Sequence, residues 1–115
     1  MTEIIVNYDK GLCSFITLSG HAGYAEYGKD IVCSGITTAT YTSINLIDKI
    51  NSSCLDLKVD ESRGYLHCSL DYQSMNKKDI DFVQLIVKNL IDMYEEIKKD
   101  YPKYLKIKIL GGCHD

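Results

Sequence analysis

The chain has 115 residues, 45% of them hydrophobic and 25% charged, with a net charge of −3. That length supports one core without help from disulfides or a metal, so a single domain is expected over residues 1–115. The acidic balance argues against a protein that grips nucleic acid by neutralising phosphates, and no apolar run approaches the roughly 18–20 residues needed to span a bilayer.

In chain order, residues 3–8 (EIIVNY) and 12–19 (LCSFITLS) read as two strands around Asp9-Lys10-Gly11, a hairpin signal. Residues 20–31 carry Gly20, Gly23 and Gly28 with few periodic apolar positions, and read as a loop. From Val32 the pattern turns helical, because Val32, Ile36, Ala39, Ser43, Ile47 and Ile50 fall three or four apart. Small and β-branched side chains dominate this helix, so packing rather than propensity must hold it. Two further strands follow at 55–59 and 65–70, around the turn 60–64. A long amphipathic helix then covers about 75–101, with Ile80, Val83, Ile86, Val87, Leu90, Tyr94 and Ile97 as its stripe. Pro102 stops it, and Leu105, Ile107 and Ile109 alternate with lysines in a last strand. The order β-β-α-β-β-α-β implies an α+β domain: a mainly antiparallel sheet of about five strands with two helices over it.

The start, MTEIIVNYDKG, has neither the basic end nor the apolar stretch of a secretory leader, which points to a cytoplasmic protein whose five cysteines are thiols. No CxxC pair occurs, and His67 and Cys68, as strand neighbours, face opposite ways; neither a metal nor another cofactor is expected. Cys13 and Cys68 read as core strand residues and Cys54 as structural. Cys113-His114 follows Gly111-Gly112 at the chain end, where nothing rigid would aim the pair.

His21 and Cys33 differ from these. His21 directly follows a strand, and Cys33 falls at the start of the predicted helix, where unpaired N–H groups and the helix dipole favour a thiolate. A thiolate beside an imidazole is the minimum for nucleophilic catalysis. The N–H groups of Cys33 and Ser34 are then candidate oxyanion donors. Asp30 either caps the helix, orients His21 or binds substrate. Spacing alone leaves two readings open: a catalytic dyad, or a buried thiol and a turn histidine with no common task.

The segment Gly20-His21-Ala22, followed by Gly28-Lys29-Asp30-Ile31-Val32-Cys33-Ser34, closely resembles the ribosomal-processing cysteine proteases of the Prp family. The resemblance implies a protease that removes a short N-terminal extension from large-subunit ribosomal protein twenty-seven, with that precursor as its partner. By motif position it implies Cys33 as nucleophile, His21 as general base and acid, Gly20 as the tight turn before the histidine, and Asp30 in a supporting or substrate-binding role. Thr37 stands where the family often has serine, and Ser34-Gly35 where alanines are common. A homodimer is the assembly state the resemblance suggests. The glycine-hinged stretch 22–29, with Tyr24, Glu26 and Tyr27, could close over an extended peptide, Tyr24 and Tyr27 contacting it. Two other readings compete: a non-catalytic module docking on a basic ribosomal protein, and a thiol redox sensor using Cys33 alone.

Overall fold

The computed structural model describes residues 1–20 and 27–111, with only the backbone of residues 27–30. Two strands open the chain, β1 (Thr2–Asp9) and β2 (Leu12–Ser19), joined through Lys10 and Gly11. Both turn residues have positive φ, 53° and 81°, the handedness that matches the twist of a two-residue hairpin. Helix α1 (Tyr27–Ile50) follows, then β3 (Leu55–Asp60), β4 (Tyr65–Leu70), helix α2 (Lys77–Asp100) and β5 (Leu105–Leu110), giving the expected element order.

The five strands form one sheet in the order β3-β4-β2-β1-β5. Three pairings are antiparallel; β1 and β5 run parallel, Thr2 opposite Leu105 and Asn7 opposite Leu110. The sheet is therefore mixed, because β5 returns to the edge only after the α2 crossover. Alternation decides the faces. Ile4, Val6 and Tyr8 of β1, Cys13, Ile16 and Leu18 of β2, and Leu66, Cys68 and Leu70 of β4 join one buried cluster with the stripes of both helices. The alternation of β2 shifts by one residue at a bulge at Ser14, where Asn7 faces Phe15 and Tyr8 faces Cys13, so Cys13 and Ile16 both stay on the buried face. Asn7 Nδ2 donates to Ser14 Oγ at 2.7 Å, and Ser14 returns its proton to the Asn7 carbonyl at 3.1 Å.

Beyond that bulge β2 outruns its pairing with β4, which begins at Phe15. Side chains take over the backbone groups of Cys13: its N–H donates to Gln84 Oε1 at 3.0 Å and its carbonyl accepts from the Tyr72 hydroxyl at 2.6 Å. Gln84 Nε2 donates to Tyr72 in turn, at 2.9 Å, closing a polar ring that ties α2 to the sheet. Helix α2 is capped by Asn76, whose side chain accepts from the Asp79 N–H at 2.8 Å. No helix among the described residues is long and apolar enough to cross a membrane.

The first helix departs from expectation at its start. It begins at Tyr27 rather than Val32, so residues 27–31 are helical and not loop. Apolar periodicity marks only where a helix meets the core, and Val32 is buried there. Residues 27–31 carry no such period in the sequence, and Gly28 lowers propensity without forbidding the conformation.

Candidate active site

At one end of the sheet β1 begins, β2 ends and β5 begins. The Thr2 N–H donates to the Tyr104 carbonyl at 2.9 Å, which fixes the first residue of β1 against the approach to β5. Gly20 closes β2 with φ +119°, and a Cβ there would stand 2.3 Å from the Met1 carbonyl oxygen and 3.0 Å from Thr2 Cα. Only glycine fits so close to a neighbouring backbone. The end of β2 is thus held right beside Thr2 at Gly20.

Helix α1 brings Cys33 to the same place. Its Sγ lies 3.5 Å from the Thr2 hydroxyl, within hydrogen-bond reach for sulfur. Val32 and Ile36 are buried and anchor this part of α1, whereas Cys33 is half-buried and Ser34 and Thr37 are exposed. Thr37 is one helical turn beyond Cys33, on the same side of the helix. The structure therefore brings together Gly20, Cys33, Ser34 and Thr37 of the expected site. Tyr27 and Asp30 contribute helical backbone positions, their side chains lying outside the described part, as do His21, Tyr24 and the Cys113-His114 pair.

Three expectations are corrected by the helix boundary. Cys33 lies in the second turn of α1, beyond the first-turn N–H groups where the helix dipole acts most strongly. The N–H groups of Cys33 and Ser34 fall in the helical ladder, toward the carbonyls of Lys29 and Asp30, and are not free oxyanion donors. Asp30 is inside the helix and so is not its N-cap.

The other described thiols are closed off. Cys13, Cys54 and Cys68 are free and at most 2% exposed. Burial pushes Cys13 and Cys68 up to about 12, helped by Cys68 at Cys13 and by Cys54 and Asp56 at Cys68, and pushes Cys54 up as well. A thiol held protonated in apolar surroundings is inert. Cys33 is the one half-exposed thiol among the described cysteines. His67, on the opposite face of β4 from Cys68, pairs with Thr17 at 2.9 Å and packs on Phe15. Thr2 was missed as a neighbour of Cys33, though the alternation Thr2, Ile4, Val6, Tyr8 already places it on the inner face.

Among the described residues, an α+β layer presents one accessible thiol, Cys33, beside a strand end that precedes a histidine in the sequence, an arrangement that fits a small thiol-hydrolase class. The family model for cysteine protease Prp matches residues 1–106. The ribosomal processing cysteine protease Prp of Bacillus subtilis is 30% identical over 101 residues, 88% of either chain. Its Staphylococcus aureus counterpart is 30% identical over 106 residues, 91% of this chain and 93% of that one. Among solved structures, the S. aureus protease bound to a substrate peptide superposes with TM-score 0.79 at 24% identity, covering 95% of this chain and 99% of that one. The same protease with a covalently linked product peptide gives 0.76 at 25% identity, with the same coverage. A Streptococcus mutans protein gives 0.82 at 27% identity over 97% of this chain and 96% of that one. The chain belongs to the cysteine protease Prp family, and it is a peptide-bond hydrolase.

Proposed function

We infer that residues 1–115 form a single cytoplasmic protease domain that trims the N-terminal extension of large-subunit ribosomal protein twenty-seven, using Cys33 and His21 as a dyad. The observation that carries the assignment is the accessibility of Cys33 against the sealed Cys13, Cys54 and Cys68. The covalently linked product peptide on the S. aureus relative supports a covalent route.

Cys33 Sγ, its proton passed to His21, attacks the scissile carbonyl carbon. The imidazolium then protonates the departing amine, leaving the acyl group on sulfur as a thioester. Water, deprotonated by His21, releases the carboxylate and restores the thiol. Oxyanion donors are sought outside the ladder of α1. Asp30, Ser34 and Thr37 flank the nucleophile on that helix and serve support or substrate contact, while Gly20 sets the turn into His21 and Tyr24 and Tyr27 receive apolar side chains of the peptide. A homodimer is the assembly we expect, with no nucleic-acid contact and no cofactor.

The test uses the purified protein and a synthetic peptide spanning the extension and the first residues of the mature ribosomal protein from the same genome. Cleavage at the junction, lost in Cys33→Ala and in His21→Ala, is the expected result. Junction cleavage by Cys33→Ala at the wild-type rate would remove Cys33 from the mechanism.

A further inference from the structure

We propose that Thr2 is a positioning residue for the nucleophile: its hydroxyl holds Cys33 Sγ and donates a hydrogen bond to the sulfur once the thiol has given up its proton. The proposal rests on the reading of Cys33 as the nucleophile.

Thr2, Thr40 and Ser43 are the buried polar residues of the described core. Thr40 and Ser43 settle their hydroxyls locally, donating to the carbonyls one turn back, Ile36 at 2.7 Å and Ala39 at 2.9 Å. A strand residue has no such carbonyl within reach, since its backbone groups point along the sheet. The Thr2 N–H is already given to Tyr104. Its side chain, 6% exposed, faces α1, where the hydroxyl meets Cys33 Sγ at 3.5 Å. A buried hydroxyl without a partner is costly, so this contact satisfies Thr2 as well as fixing the sulfur.

The geometry suits the chemistry. In the thiol state either atom can donate. After proton transfer to the histidine the sulfur is a pure acceptor, and the threonine hydroxyl is the donor that remains in the pair. A charge-assisted bond of this kind is about twice as strong as a neutral one. Threonine also suits the task better than serine in one respect: its β-branched side chain is stiff at χ1, so the oxygen is held where the strand puts it. The same residue backs onto Gly20, whose carbonyl leads into position 21. Thr2 therefore sits between Cys33 on α1 and the end of β2, which precedes His21 in the sequence.

Two pairs of variants isolate the hydroxyl: Thr2 against Thr2→Val, nearly equal in shape, and Thr2→Ser against Thr2→Ala, both lacking the methyl group. The probe is iodoacetamide at fixed pH 7, with Cys33 modification followed by peptide mass mapping, in the wild-type and His21→Ala backgrounds. Losing the donated bond is expected to slow Cys33 alkylation roughly threefold in Val and Ala, the loss of thiolate being partly offset by higher nucleophilicity. Ser should restore the rate, and the ratio should persist without His21. With the precursor peptide, kcat should fall while KM holds. Equal alkylation of Val and wild type, or a Ser variant as slow as Ala, would overturn the proposal; one pair suffices if a member of the other fails to fold. Because alkylation does not require cleavage, Thr2 can pass or fail independently of whether Cys33→Ala abolishes proteolysis.

Discussion

Tyr94 donates its hydroxyl proton to Thr40, and not the reverse. Their oxygens are 2.6 Å apart, and the single Thr40 proton is committed to the Ile36 carbonyl at 2.7 Å. Both side chains are fully buried, at the junction of α1 and α2. Burial holds the Tyr94 phenol well above its ordinary range, so it stays a donor at any physiological pH. The direction of the bond makes the two deletions unequal. Tyr94→Phe removes the donor and leaves Thr40 still bonded to Ile36, at a cost of about 1 kcal/mol. Thr40→Val strands a buried phenol and should cost about 1–3 kcal/mol. Urea titration of both single variants and the double variant would show the inequality and a non-additive pair. Equal losses would mean that the proton runs the other way.

The same helix pair shows what could be read from the residues alone. The stripe of α2 was legible because five of its members, Val83, Ile86, Val87, Leu90 and Tyr94, are buried at helical spacing. The first hairpin was legible because Lys10-Gly11 has the chemistry of a tight turn. The start of α1 was not, since residues 27–31 carry no helical apolar period ahead of Val32. The parallel return of β5 was not, because pairing across a helical crossover is set by packing and not by any turn residue. In the sequence, His21 and Cys33 stand out through family-like motifs, whereas Thr2 is hidden by its ordinariness: a threonine at the head of a strand declares nothing until α1 is laid over it.

Gly20 is expected to be intolerant of any side chain. Its φ of +119° is strained for an L residue, and the methyl of Gly20→Ala would press on the Met1 carbonyl at 2.3 Å. Backbone on both sides of the clash leaves no flexible group to yield. A loss of about 2–4 kcal/mol is expected by thermal or urea unfolding, with cleavage falling further than stability accounts for, because the entry to position 21 shifts. A Gly20→Ala protein with unchanged melting temperature would show that the end of β2 is not constrained as described.

Gly35 should behave in the opposite way. It lies inside α1, and a Cβ there would meet Ile97 Cδ1 of α2 at 3.5 Å, an ordinary van der Waals contact with the end of a flexible side chain. Glycine within a helix costs roughly 0.5–1 kcal/mol relative to alanine. Gly35→Ala should therefore stabilise the protein by about that amount and raise its melting temperature. A destabilised variant would mean that α1 and α2 pack more tightly at this crossing than the contact distance allows.

Alkaline unfolding should be steep and traceable to the sealed thiols. Cys13 and Cys68 move from an ordinary value of 9.0 to about 12, chiefly through burial. In the unfolded chain they lose their protons near 9, while in the folded protein they keep them until about 12. Above pH 9 the folded state binds more protons than the unfolded one, so stability is full below 9 and falls as pH rises toward 12. By pH 12 each thiol accounts for a loss of up to about 4 kcal/mol. Buried Tyr72 and Tyr94, also shifted upward, steepen the decline at the top of this range. Urea titrations at pH 8, 9.5 and 10.5 should show the decline, and Cys68→Ala, less stable at pH 8, should lose less than wild type between 8 and 10.5. A slope unchanged by that substitution would mean that Cys68 is open to solvent in the folded state, and Cys33 would then no longer be the singled-out thiol.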